Sequence, residues 1–247
     1  MDRTSHGERR QLGGAAVVAA ALARGEPVRE LLLRRGAHGE ELDALLERAR
    51  VAGVTLRRLS PRQFDRLRRA GPPCEVLALV GGPPPGAGMD EVLGGDGCAW
   101  LLSGVAYPGN TGFAIRTAEV SGAAGVFVDA AFDHAGRRAA LRASIGAQRF
   151  MPVLWEKTQE VLGAATACGR RILAIEDSGH AAPWQADLRG RVLFVVGGEA
   201  AGIAPATLAR CDAVLRIPMA GFVPSYNLQA AVAAVAAERL RQLGSTS

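Results

Sequence analysis

The stretch Val195-Val196-Gly197-Gly198-Glu199-Ala200-Ala201-Gly202-Ile203-Ala204-Pro205 decides how this chain is read. A short apolar run enters a glycine-rich turn, and Pro205 supplies the first-turn proline of a following helix. Glycine lets a backbone or a ligand approach with no Cβ in the way. Glu199 places a carboxylate inside the turn. No G-x-G-x-x-G pattern is present and no Walker lysine follows, which excludes a nicotinamide-type fingerprint and a P-loop.

Working outward, similar short apolar runs recur at 98–102, 125–128, 171–175, 192–196 and 213–216, with helical patterns between them. Continuously apolar strands separated by helices predict a parallel sheet covered on both faces. A long Ala-rich helix is expected over 225–243. Upstream, the pattern predicts helices over 12–23, 40–52 and 61–69 and strands over 28–33, 54–59 and 75–80. Ser60-Pro61 gives the third helix an N-cap and a first-turn proline. The breaker run Gly81-Gly82-Pro83-Pro84-Pro85-Gly86-Ala87-Gly88 fits neither element. The expected organisation is therefore a small α/β module at 1–80, a linker at 81–95 and a larger α/β domain at 96–247.

Composition narrows the class. Hydrophobic residues make up 49% of the 247-residue chain and charged residues 21%, as in ordinary globular proteins. Residues 1–75 carry 15 arginines against 10 acidic residues, whereas 76–247 are balanced. The net charge of +5 thus sits in the first third, as a polyanion-binding module would have it. Arg57 and Arg58 end one expected strand, and Arg62, Arg66 and Arg69 follow at helical spacing. This stripe suits a phosphate backbone, and by itself it equally suits a solvated face. Cys74, Cys98, Cys168 and Cys211 match no metal or redox spacing, and no ligand cluster for a metal is present. Arg9-Arg10 before the apolar run 12–23 imitates a signal peptide, but Glu8 interrupts the basic flank and the pattern continues as folded sequence. No stretch reaches the length of a membrane span, so a cytoplasmic protein is expected.

Two further segments carry chemistry. Asn110-Thr111-Gly112-Phe113-Ala114-Ile115-Arg116 follows a turn, with Asn110 expected as N-cap and Arg116 on the second helical turn. An arginine there stands near the carboxyl end of a parallel sheet, where such folds bind ligands, although a surface arginine has the same spacing. Ile217-Pro218-Met219-Ala220-Gly221-Phe222-Val223-Pro224-Ser225-Tyr226-Asn227-Leu228 crosses from strand to final helix, with Ser225 the expected cap.

Taken in order, these segments resemble the SpoU/TrmH-type family of the SPOUT superfamily, the RNA 2′-O-ribose methyltransferases. The family's N-x-G-x-x-x-R, G-x-E-x-x-G and I-P-M-x-G…S-x-N elements match Asn110–Arg116, 197–202 and 217–227, and 142–147 is similar to its R-A-S-x-G-A element. The first module is similar to the family's ribosomal-protein-like substrate-binding domain, which opens with a pair like His6-Gly7.

The resemblance implies an α/β fold whose carboxyl end forms a trefoil knot, a homodimer, and S-adenosylmethionine as methyl donor. It implies that Arg116, Asn110, Glu199, Ser225 and Asn227 serve transfer to a ribose of rRNA or tRNA. It further implies that Gly197, Gly198, Ile217, Met219, Tyr226 and Leu228 surround the donor, with no metal. The departures are Gly198 for a commoner Ser or Ala, Tyr226 for an apolar residue, and Gln229 for a serine. The alternative is a SPOUT-fold RNA-binding protein that holds the donor weakly.

Overall fold

In the computed structural model, residues 9–68, 71–84, 86–199 and 201–244 are described. They fall into two compact units, divided between Gly82 and Pro83. His6-Gly7 and Arg69 lie outside the described residues.

The first unit is a four-stranded sheet. Its elements are β1 (Arg10–Gly13), α1 (Ala15–Ala23), β2 (Val28–Arg34), α2 (Glu40–Val51), β3 (Thr55–Leu59), α3 (Pro61–Leu67) and β4 (Val76–Val80). Strand order is β1-β4-β2-β3, with β4 antiparallel to both neighbours and β2 parallel to β3. The apolar run expected as one helix over 12–23 is split. Its first residues pair with β4, and Gly14, at φ 92°, turns the chain into α1. A left-handed φ costs glycine nothing, which is why the break falls there. Leu31, Leu33, Val18, Leu45 and Ala78 form the core under α1 and α2. Leu32, Leu59, Phe64 and Leu77 form a smaller core under α3. Ser60 caps α3 as expected: its hydroxyl accepts from the Gln63 N–H while the Gln63 side chain accepts from the Ser60 N–H.

The second unit carries a six-stranded sheet, parallel throughout, in the order β10-β8-β9-β5-β6-β7. In chain order it comprises α4 (Met89–Gly94), β5 (Ala99–Ser103), α5 (Pro108–Val120), β6 (Gly125–Asp129), α6 (His134–Ala143), β7 (Val153–Leu154), α7 (Thr158–Ala167) and β8 (Arg171–Ile175). It continues with β9 (Val192–Gly197), α8 (Pro205–Leu208), β10 (Ala213–Leu215) and α9 (Leu228–Gly244). One core packs α5 and α9 on the sheet around Trp100, Val128, Phe194 and Val232. The other packs α4 and α7 around Leu93, Leu101, Phe127 and Leu193 on the opposite face. Both faces are covered, which explains why the strands read as unbroken apolar runs. Among the described residues no helix is long and apolar enough to cross a membrane.

The expected linker over 81–95 is only partly a linker. Its end is helix α4, whose Val92 and Leu93 are fully buried. Arg170 explains why so short and glycine-flanked a helix is held. Only 4% exposed, Arg170 donates to the carbonyls of Val92, Leu93, Gly95, Gly97 and Val192 at 2.7 to 3.3 Å. Arg191 adds bonds to Leu93 and Gly95. A cation at a helix carboxyl end meets the dipole as well as the unpaired carbonyls. Burial, with the neighbouring Arg191, draws the Arg170 pKa down to about 10, which leaves it charged at neutral pH. Replacing Arg170 by Met strands several buried carbonyls at once. Urea unfolding of R170M is expected to show a loss of about 3 kcal/mol or more; an unchanged midpoint would refute this account of α4.

Candidate active site

The carboxyl ends of β8, β9 and β10 converge on a cavity of about 290 Å³. It is lined by Ile175, Glu176, Asp177, Val196, Gly197, Gly198, Glu199, Gly202, Ile217, Met219, Pro224, Ser225, Tyr226, Asn227, Leu228 and Ala231. A pocket at this end of a parallel sheet is where such folds place ligands.

Glycine at the head of the turn after β9 is demanded by crowding. A Cβ on Gly198 would collide with the carbonyl of Gly104, and one on Gly197 with the backbone of Gly202. Gly198 N–H donates to Ser103 O at 2.9 Å, and Gly202 N–H returns to Gly198 O at 3.0 Å. The glycine that departs from the commoner Ser or Ala is thus fitted to the close approach of the loop after β5.

The carboxylates share the work. Asn110 Nδ2 donates to Glu199 Oε1 at 2.6 Å, joining α5 to the glycine turn. Asn110 is not the cap of α5. Pro108 opens that helix after Tyr107, so Asn110 stands in its first turn and Arg116 on its third. Proline at the first helical position sets this earlier start. Glu176 is a residue that sequence reasoning missed. Its Oε2 accepts from the Ile203 N–H at 2.8 Å and its Oε1 from the Asp177 N–H at 3.1 Å. It therefore ties the loop after β8 to the glycine turn, and a Cβ on Gly202 would lie 2.7 Å from its Oε2. No local pattern marks such a carboxylate; only the fold brings 176 and 203 together. Asp177 pairs with Arg216 at 2.9 Å.

The third segment closes the cavity. Asn227, not Ser225, caps α9: its Oδ1 accepts from the Gln229 N–H at 2.9 Å. Helix α9 starts at Leu228, so Ser225 lies too far upstream and stands exposed at the cavity wall. The Tyr226 hydroxyl donates to Pro218 O at 3.2 Å, bracing the loop across its own width. Gln229 is not among the lining residues.

Of the expected site residues, Glu199, Ser225, Asn227, Gly197, Gly198, Ile217, Met219, Tyr226 and Leu228 are thus brought together, with Asn110 bonded to Glu199. Arg116 is not among the cavity's lining residues. It is exposed on α5 and makes no hydrogen bond or ion pair among the described residues.

The expected RNA stripe is divided. Arg57 is held by Glu30 at 2.8 Å on the α3 side of the sheet. Strand alternation turns Arg58 to the opposite side. Arg62 and Arg66 are exposed on α3 and form no ion pair among the described residues. No cluster of His, Cys, Asp or Glu able to hold a metal is present among the described residues. Burial pushes the Cys211 thiol up to about 11, consistent with a structural cysteine.

A parallel α/β unit with three convergent loops around one pocket, joined to a small α/β module, defines the class: a two-part ligand-binding α/β protein. The SpoU rRNA Methylase family matches residues 99–237, and the RNA 2'-O ribose methyltransferase substrate binding family matches 12–85. The chain belongs to the SpoU rRNA methylase family. A curated relative is the 23S rRNA (guanosine-2'-O-)-methyltransferase RlmB of Xanthomonas axonopodis pv. citri (strain 306). It is 27% identical, over 94% of this chain and 95% of its own length. The SpoU methyltransferase AviRb from Streptomyces viridochromogenes is similar in structure, with a TM-score of 0.56 and 25% identity over 96% of this chain and 91% of its own. Its structure in complex with AdoMet aligns with a TM-score of 0.54 at 24% identity, over 96% and 91% of the two chains, a likeness of fold.

The Glu176 bridge is directly testable. In E176A the Ile203 amide loses its acceptor, and its hydrogen exchange is expected to accelerate at least about tenfold, the equivalent of about 1.4 kcal/mol. Unchanged protection at Ile203 would show that the turn is held without it.

Proposed function

We propose that this protein transfers a methyl group from S-adenosylmethionine to a ribose 2′-hydroxyl of structured rRNA or tRNA. The observation that carries the reading is the single cavity formed by the family's second and third elements, with the first tied to it through Asn110 and Glu199.

The residues fit the donor. Among the described residues Glu176, Asp177 and Glu199 line the cavity and no basic residue does. With Asp177 paired to Arg216, Glu176 and Glu199 leave a negative wall that favours a cationic ligand such as a sulfonium. Ile217, Met219, Tyr226 and Leu228 offer apolar surface, and Gly197 and Gly198 leave backbone accessible. Bound there, S-adenosylmethionine would supply an electrophilic methyl carbon on a good leaving group.

The protein then has to place the ribose oxygen in line and steady the charge around it. Asn110 and Glu199 hold each other in a fixed geometry at the turn, and Ser225 and Asn227 present polar groups on the facing wall. A guanidinium is a charge carrier rather than a base, so Arg116 acts by positioning an RNA phosphate or the ribose.

A homodimer with its sites at the interface accounts for Arg116 standing outside the cavity lining. Phe113, 47% exposed, and Val120, 69% exposed, flank Arg116 on the outward face of α5, an apolar surface suited to a second copy. The threaded carboxyl end of the family is supported by the close crossing of two segments: a Cβ on Gly179 would lie 2.6 Å from the Leu215 backbone. A cytoplasmic location follows from the substrate. In the first unit the exposed Arg62 and Arg66 of α3 contact RNA, whereas Arg58 faces the other side of the sheet and Arg57 supports the sheet through Glu30.

Three outcomes test this reading. Calorimetry with S-adenosylmethionine is expected to show saturable binding to the protein; no binding would favour the RNA-binding alternative that Tyr226 raises. R116A is expected to lose methyl transfer to labelled total RNA by at least about 10²-fold while keeping donor affinity and unfolding midpoint. Retained turnover would remove Arg116 from the reaction. Reversing Arg62 and Arg66 to Glu should weaken RNA binding and flatten its salt dependence; an unaltered salt slope would leave them as a solvated face.

A further inference from the structure

The balanced net charge of the second unit conceals a local excess. From Asp133 to Phe150 the chain carries Arg137, Arg138, Arg142 and Arg149 against one acidic residue. That residue, Asp133, is occupied as the cap of α6, accepting from the Gly136 N–H at 2.7 Å. Arg137 is anchored over the Trp155 ring at 5.1 Å, and Phe132 meets the same ring edge-on. Arg138, Arg142 and Arg149 are exposed and make no hydrogen bond or ion pair among the described residues.

Their placement follows from how α6 packs. The helix buries Ala140, and its Ala140 carbonyl and Ala143 Cβ occupy the space that a Cβ on Gly112 of α5 would need. With that face inward, His134, Arg138 and Arg142 fall one above another at i, i+4 and i+8 on the exposed face. The turn that ends α6 is strained, because Ile145 takes a φ of 53° while 71% exposed. It carries Arg149 back over Gly146, with Arg149 Cδ 3.7 Å from where a Gly146 Cβ would stand. Gly112 lies one helical turn before Arg116, so the carboxyl end of α6 packs beside the arginine assigned to the reaction.

We propose that Arg138, Arg142 and Arg149 form a phosphate-binding ledge that guides the RNA strand to Arg116. The inference rests on the RNA methyltransferase reading above and adds a contact surface on the second unit itself. Arg138 and Arg142 at helical spacing on α6, with Arg149 in the turn beyond it and none of the three paired among the described residues, suit successive backbone phosphates rather than base edges. The ledge thus contributes affinity and register, and leaves sequence choice to other contacts.

The test is the full-length triple variant R138Q/R142Q/R149Q, measured by filter binding to purified ribosomal RNA across a salt series. All three side chains are exposed, so the unfolding midpoint and S-adenosylmethionine affinity are expected to stay at parental values. The slope of log affinity against log salt should fall in magnitude by about 2 to 3, at about 0.7–0.9 per lost phosphate contact. KM for RNA should rise at least about tenfold with a smaller change in kcat, and R138K/R142K/R149K should restore the slope. A parental slope in the glutamine variant, with the parent binding and methylating RNA, overturns the ledge alone. A parent that neither binds nor methylates RNA overturns the functional reading together with it.

Discussion

The cavity depends on backbone meeting backbone with no side chain between. Gly197 and Gly198 pack against Gly202 and Gly104 so closely that a single methyl group would force the loops apart. Into that contact Glu176 adds two hydrogen bonds, one to its own loop and one to Ile203. The pocket wall is thereby set by main-chain geometry, which is stiff, rather than by long side chains, which are not. A site that must align an oxygen, a methyl carbon and a leaving group gains most from such stiffness.

Around this contact the molecule separates its electrostatic tasks. The charged residues that line the pocket are carboxylates, Glu176, Asp177 and Glu199, whereas exposed arginines lie on α3, α5 and α6. On the proposed reading a cationic donor and a polyanionic acceptor meet surfaces of opposite sign within one chain. Arg116 belongs to the basic side of this division, which fits a role at the sugar and phosphate rather than at the donor. Arg170 shows a third use of arginine, as a buried clamp satisfying carbonyls at the end of α4.

Much of the architecture is legible in the sequence. Five short apolar runs became strands of a parallel sheet, and the Ser60-Pro61 signal became the capping box of α3. The errors have specific physical causes. Asn110 read as a cap because its residue type suits one, but Pro108 had already fixed the helix start. The run 12–23 read as one helix because Leu12 and Gly13 are apolar or small enough for either element. Their pairing with β4, sixty-odd residues away, decided the matter. The segment 81–95 read as linker because glycines and prolines dominate it, and only Arg170 and the buried Leu93 reveal α4. The basic residues of the first unit read as one edge because Arg57 and Arg58 end the strand that leads into α3, whereas alternation turns Arg58 to the opposite side of the sheet from Arg57.

By itself, the sequence determined the class of fold, the order of its elements and the family elements that supply the pocket, because periodicity and glycine placement are local properties of the chain. Tertiary structure alone decided that Glu176 reaches Ile203, that Asn110 meets Glu199, and that α6 packs Ala140 against Gly112. These contacts join residues 27, 89 and 28 positions apart, and no local preference encodes the meeting of distant carboxylates, amides and small side chains. They exist because a parallel sheet gathers the ends of its strands on one edge and leaves the loops there to close on one another.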